Sequence, residues 1–190
     1  MIKNQITENK ERFISLCKTV KRDGISELLE WLDGTDFYTC PASTRFHGAY
    51  EGGLLQHSLN VYDELQRLLK AYPEVKVSEE TAIIASLFHD FCKVNFYGVE
   101  KRNRKNEQGK WESYDAYKVE EKFRFGGHGS KSVFLVQHFI KLTPEEGVAI
   151  NCHMSCWDKN ESVGGAFEQF PFAWLVHVAD ESATYLLENE

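Results

Sequence analysis

Apolar residues recur at helical spacing along most of this chain. Residues 7–22 predict an amphipathic helix with Phe13, Leu16, Cys17 and Val20 on one stripe. Ile25 to Leu32 predicts a short second helix, and Gly34 is placed to stop it. Residues 35–53 hold Pro41, Gly48, Gly52 and Gly53 and predict a loop. Leu54 to Ala71 predicts the next helix. Its Leu54, Val61, Leu65 and Leu68 share one face, and His57 falls on the same inward stripe. Ser78 is placed to cap a helix from Glu79 to Phe91, whose apolar run leads into His89-Asp90.

The period then changes. Val94 to Lys122 carries aromatic and β-branched residues around Asn106-Glu107-Gln108-Gly109, which predicts a β-hairpin with a basic arm of Lys101, Arg102, Arg104 and Lys105. Gly129 to Leu142 returns to a helical pattern. Thr143-Pro144-Glu145-Glu146 has the form of a capping box with proline at the first helical position, starting a helix through Ile150 that delivers His153. Phe170 to Leu187 predicts a last, apolar and therefore central helix. The expected fold is all-α, a helical bundle with a β-hairpin insertion near residues 95–115. Residues 1–190 are expected to form a single domain, with residues 1–40 as a helical N-terminal extension packed on it.

Composition narrows the partners. The 190 residues include 42% apolar side chains, with 13 Phe, 8 Tyr and 4 Trp, which suits a packed core. The net charge of -7 repels a polyanion, so duplex DNA is not an expected partner. A small phosphorylated substrate remains open, because bound cations can invert the local field. No apolar run is long enough to span a membrane, and the polar start MIKNQITENKERF lacks a signal peptide's apolar segment. The five cysteines (Cys17, Cys40, Cys92, Cys152, Cys156) form no CxxC pair and read as reduced thiols of a cytoplasmic protein. Cys152 and Cys156 flank His153; small buried side chains suit them better than zinc ligands.

The chemistry lies in one ordered set: His57, His89-Asp90, His128, His153 and Asp180, each at or near the end of an apolar helix. Imidazole and carboxylate suit Zn, Mn, Fe, Co or Ni. A single histidine on an apolar face is more often a hydrogen-bonded core residue than a ligand. Asp180 is less easily explained that way. It interrupts the run Phe172 to Ala179, and a buried carboxylate must pair, hydrogen-bond or coordinate. His177, one turn before Asp180, suits the role of orienting a ligand through a hydrogen bond. His47 and Arg45 lie in the glycine-containing loop, where they either face substrate or are simply exposed.

With these residues placed, the sequence resembles the HD superfamily of metal-dependent phosphohydrolases. His57, His89-Asp90 and Asp180 match its H…HD…D signature, and His128 and His153 match the extra histidines of its two-metal branch. Gly52-Gly53-Leu54-Leu55-Gln56-His57-Ser58, Gly127-His128-Gly129-Ser130-Lys131-Ser132 and His177-Val178-Ala179-Asp180 extend the match over residues 50–187. The Gly-Gly-Leu-Leu-x-His element is similar to that of the HD domain in bacterial 3′-to-5′ exoribonucleases, although the first 40 residues here read as helical and not as the OB-fold expected there. The family often reads HDxGK; here Cys92 stands in the glycine's place and Lys93 keeps the lysine's. The Gly-Tyr-Pro motif of cyclic-di-GMP phosphodiesterases is absent.

The resemblance implies two divalent metal ions (Mn, Fe, Ni, Co or Zn). One would be held by His57, His89, Asp90 and Asp180, and the other by His128 and His153, with Asp90 bridging. It implies cleavage of a phosphoester, in a nucleotide or short oligonucleotide, by a metal-bridging hydroxide. Asp90 and Lys93 would carry the catalytic roles. Lys93, Arg45, His47 and Lys131 would bind the substrate, and the basic hairpin with Tyr97, Trp111 and Tyr114 could stack on bases. Two other readings fit the same residues: an HD-fold diiron oxygenase, and a metal-stabilised module that binds a nucleotide without turnover.

Overall fold

Eight α-helices and one antiparallel hairpin make up the described residues, 3–155 and 163–188, of the computed structural model. In chain order the helices are α1 (Lys3–Cys17), α2 (Ile25–Asp33), α3 (Gly53–Ala71) and α4 (Glu79–Phe88). After strands β1 (Tyr97–Lys105) and β2 (Trp111–Val119) come α5 (His128–Val136), α6 (Pro144–Cys152), α7 (Val163–Gln169) and α8 (Pro171–Ser182). The all-α expectation holds, with the hairpin as the only sheet among the described residues. No helix there is long and apolar enough to cross a membrane.

Several boundaries differ from the pattern-based expectation, each for a local reason. Helix α1 stops at Cys17, because Thr19 and Val20 bond back to the carbonyls of Leu16 and Cys17 in a tightened turn. Val20 still enters the core, and Arg22 is aimed at Glu146. Helix α5 begins at His128 and ends at Val136, short of Leu142. The chain turns so that Ile140 and Leu142 become buried, and the Phe139 carbonyl lies so close to Gly24 that a Cβ there would sit 1.8 Å from it. Helix α4 ends at Phe88, with a separate 3₁₀ turn at Phe91–Lys93. Helix α7 has no counterpart in the sequence reading. Its seven residues include Gly164 and Gly165, which erase a propensity signal.

The hairpin reaches further than residues 95–115, pairing Tyr97 with Val119 and Lys105 with Trp111. Gly109 turns it with φ of +76°, a conformation that costs glycine nothing. The Thr143 capping box forms as read, its hydroxyl accepting from the Glu146 N–H while the Glu146 carboxylate accepts from the Thr143 N–H.

Two apolar clusters share the helices that carry the candidate ligands. The first gathers Phe13, Leu28, Leu32, Phe37, Leu54, Leu59, Phe88, Phe91 and Ile150, so α1 and α2 contribute directly to the core. The second gathers Val61, Leu65, Ala82, Ala149, Phe172, Leu175 and Ala179. Helices α3, α4, α6 and α8 pack on one another between these clusters. Their ends are thereby fixed relative to each other to within side-chain packing tolerance.

Candidate metal centre

Four packed helices bring the polar residues to one point. His57 lies one turn into α3, entirely buried. The approach to it is a Gly-Gly turn. Gly52 has φ of +79°, and a Cβ on Gly53 would sit 1.9 Å from the Gly48 carbonyl, so this entry excludes larger residues. His89 and His153 occupy equivalent places as the C-caps of α4 and α6. Each donates its Nδ1–H at 2.7 Å to the carbonyl three residues back, Ser86 and Ile150 respectively. That bond points both Nε2 atoms inward.

The inward atoms crowd together. His57 Nε2 lies 3.1 Å from Asp180 Oδ1, 3.2 Å from His89 Nε2 and 3.7 Å from Asp90 Oδ2. His153 Nε2 faces Asp90 Oδ1 at 3.5 Å, beyond the usual hydrogen-bond distance. Asp90 Oδ1 and His153 Nε2 are thus fully buried polar atoms without a hydrogen-bond partner. Such orphans are costly unless something else satisfies them.

His128 opens α5 on the far side of Asp90, where Cys92, Asp90 and His128 converge. Close helix contact puts it there. A Cβ on Gly129 would meet the Asn151 carbonyl at 2.1 Å, so only glycine lets α5 approach α6 this closely.

Burial works against the charged forms of Asp90, Asp180, His57 and His153, and neighbouring charges and hydrogen bonds overcome it. For Asp90, burial alone would raise the carboxyl's pKa, but Lys93, His89 and His153 hold it far below the usual range. Asp180 is likewise held down, chiefly by its bond to His57. His57 is discouraged from ionising by burial, yet Glu188 and Asp180 raise its pKa to about 10. His153 is raised by Asp90 and Asp180 in the same way. The pattern is that of a centre built for added positive charge.

The remaining sequence-selected residues divide by their distance from the centre. His177 donates its Nδ1–H to the His153 carbonyl at 2.7 Å, bracing the turn that carries His153. Lys93 is buried with its Nζ 2.6 Å from Asp90 Oδ2. The His47 ring lies 4.8 Å from that of His57, with Nε2 buried and without a hydrogen-bond partner; burial and the neighbouring His57 lower its pKa to about 4. Lys131 and Arg45 stand apart. Lys131 is buried over Phe96, with Nζ 2.7 Å from the Glu121 carboxylate. Arg45 is exposed and rests on the Phe46 ring. On the hairpin, Arg102 and Arg104 pair with Glu100 and Glu112. The four described cysteines, Cys17, Cys40, Cys92 and Cys152, are buried and outside any disulfide, and Cys156 lies outside the described residues.

One participant escaped the sequence reading. After α8 a π turn at Ala183–Leu187 swings Glu188 back over α3, where both carboxylate oxygens accept from His57 Nδ1–H, at 3.1 and 3.2 Å. Asn60, one turn after His57, donates to the same carboxylate at 2.8 Å. In sequence Glu188 is an acidic residue at a helix end, with no signal beyond its position eight residues after Asp180.

Comparison with known proteins agrees with this geometry. The chain is 26% identical to a dihydroneopterin 2′,3′-cyclic phosphate phosphodiesterase of Methanocaldococcus jannaschii, a match that covers 58% of this chain and 48% of that protein. The chain therefore spans about half the length of this curated relative. No solved structure matches it significantly. The profile of the HD domain matches residues 54–184, from the start of α3 to the turn after α8, and takes in all of the converging histidines and aspartates; the chain belongs to the HD-domain family.

Proposed function

We propose that this protein is a metal-dependent phosphohydrolase that cleaves a phosphoester of a small, nucleotide-like substrate, working as one unit with α1 and α2 integral to its core. The observation that carries this reading is the pair of orphaned atoms, Asp90 Oδ1 and His153 Nε2, facing each other in a buried cluster of imidazoles and carboxylates. A cation satisfies both. His57, His89, Asp90 and Asp180 would hold one ion, and Asp90, His128 and His153 a second. When bound, such ions lower the pKa of water and neutralise charge on phosphoryl oxygens.

The chain's own residues prepare the rest. Ser86 and Ile150 hold the Nδ1–H of His89 and His153, and Glu188 holds that of His57, so every Nε2 points inward, ready to bind a cation once His57 gives up its Nε2 proton. Lys93 holds Asp90 ionised and in place, which makes it a positioning group before it is a phosphate contact. His47, beside His57, has an unused Nε2 that can bind substrate oxygen.

The relative's name specifies a cyclic phosphodiester on a pterin, which favours a diester on a heterocycle-bearing substrate for this chain too. The test is turnover of a 2′,3′-cyclic nucleotide, a linear phosphodiester and a phosphomonoester by the Mn²⁺-loaded protein. Diester cleavage that is lost in His153→Ala and on chelation supports the reading. Two bound ions with no turnover across that panel would refute it and favour the binding-module reading.

A further inference from the structure

The second half of the centre contains a donor that the phosphohydrolase reading does not use. Cys92 sits in the 3₁₀ turn Phe91–Lys93, buried to 2% exposure. Its backbone N–H is pinned by Ser132 Oγ at 3.0 Å, and its Sγ lies 3.2 Å from His128 Nδ1. Sulfur, imidazole nitrogen and an Asp90 carboxylate oxygen all fall within 4.8 Å of one another. Among the described residues, no other cysteine belongs to such a group. The same Asp90 carries the partnerless Oδ1, on a side chain that is nearly fully buried.

We infer that Cys92 is a thiolate ligand of the second ion, beside His128 and Asp90, and that it biases this centre towards thiophilic cations such as Zn²⁺, Fe²⁺ and Co²⁺ over Mn²⁺ and Mg²⁺. The inference rests on the two-cation reading above. Geometry allows it. Metal bonds of about 2.3 Å to sulfur and about 2.1 Å to imidazole hold the two donors roughly 3.1–3.6 Å apart for bond angles of about 90–110°. The observed 3.2 Å lies inside that range. Chemistry allows it too. On binding, the S–H bond breaks, the sulfur–metal bond forms, and the proton leaves to solvent with no change of oxidation state. Thiolate among imidazole and carboxylate ligands then selects for softer metals.

The test is the optical spectrum and metal content of the full chain loaded with Co²⁺, wild type beside Cys92→Ser and Cys92→Gly. The inference predicts two Co²⁺ per chain and a sulfur-to-cobalt charge-transfer band in the near ultraviolet. It predicts that the band vanishes in both variants, and that their preference for Co²⁺ over Mn²⁺ falls about tenfold or more. Cadmium NMR of the wild type gives a variant-free reading, with one resonance shifted by a sulfur ligand. Two bound Co²⁺ without the band, or a band that survives in Cys92→Ser, overturns the inference and leaves the two-cation reading standing. A chain that takes up no Co²⁺ overturns both.

Discussion

Replacing Glu188 with glutamine removes one negative charge from a contact that aims His57. The glutamate spreads its two oxygens over His57 Nδ1 at 3.1 and 3.2 Å and is itself fixed by Asn60 at 2.8 Å, while His57 is fully buried. Glutamine keeps the size and one acceptor but loses the charge-assisted bond, a loss of about 1.5–3 kcal/mol. Removing the partner of a metal-bound imidazole costs roughly 10–100-fold in affinity, or about 1.4–2.8 kcal/mol, so two independent routes give the same magnitude. The measurement is chelator competition for each bound ion in wild type and Glu188→Gln, with circular dichroism as the folding control. The account predicts a fall of this size at the ion held by His57 and little change at the one beside His128. Equal affinities in the two proteins would refute the assignment, as would an equal loss at both ions.

Other consequences follow from the same contacts. Arg22→Ala strips the fully buried Glu146 of two guanidinium bonds, at 2.6 and 2.7 Å, leaving Thr81 and Thr143 as its partners. The expected cost is about 3–5 kcal/mol, a fall in Tm of roughly 6–20 °C for a chain of this length, and an unchanged calorimetric Tm would contradict it. Gly129→Val forces α5 off α6, because even a Cβ meets the Asn151 carbonyl at 2.1 Å; metal analysis should show one ion lost and one retained. Cation binding must displace the proton that Glu188 and Asp180 hold on His57, whose pKa is raised to about 10. Affinity at that ion should therefore rise with pH from neutrality, and calorimetry in buffers of different ionisation enthalpy should show net proton release. Arg102→Ala with Arg104→Ala should leave KM unchanged, since both arginines are exposed and paired within the hairpin; a raised KM would bring the hairpin into the substrate site.

The parts of this account legible in the sequence are those that depend on period and spacing. The stripe Leu54, Val61, Leu65 fixed the inward face of α3 and with it His57, and the apolar run before His89-Asp90 located the end of α4. The Thr143 box announced α6 because its chemistry is local. What stayed hidden depends on tertiary geometry. Glu188 reaches His57 only because a π turn adds a residue beyond α8, which no periodicity encodes. Cys92 reads as a reduced thiol in a glycine's place until α5 places His128 against its sulfur. Lys131 reads as a free cation beside a glycine-rich turn until the chain leaving β2 brings Glu121 to it.

The central claim is that the orphaned Asp90 and His153 atoms mark a cation-dependent phosphoester-cleaving centre. The most direct measurement is hydrolysis of a phosphodiester by the Mn²⁺-loaded protein beside Asp90→Ala, with bound metal counted in both. The account predicts two ions and turnover in the wild type, with both ions weakened and turnover abolished in the variant. Turnover that persists in Asp90→Ala, or a wild type that binds no divalent cation, would contradict it.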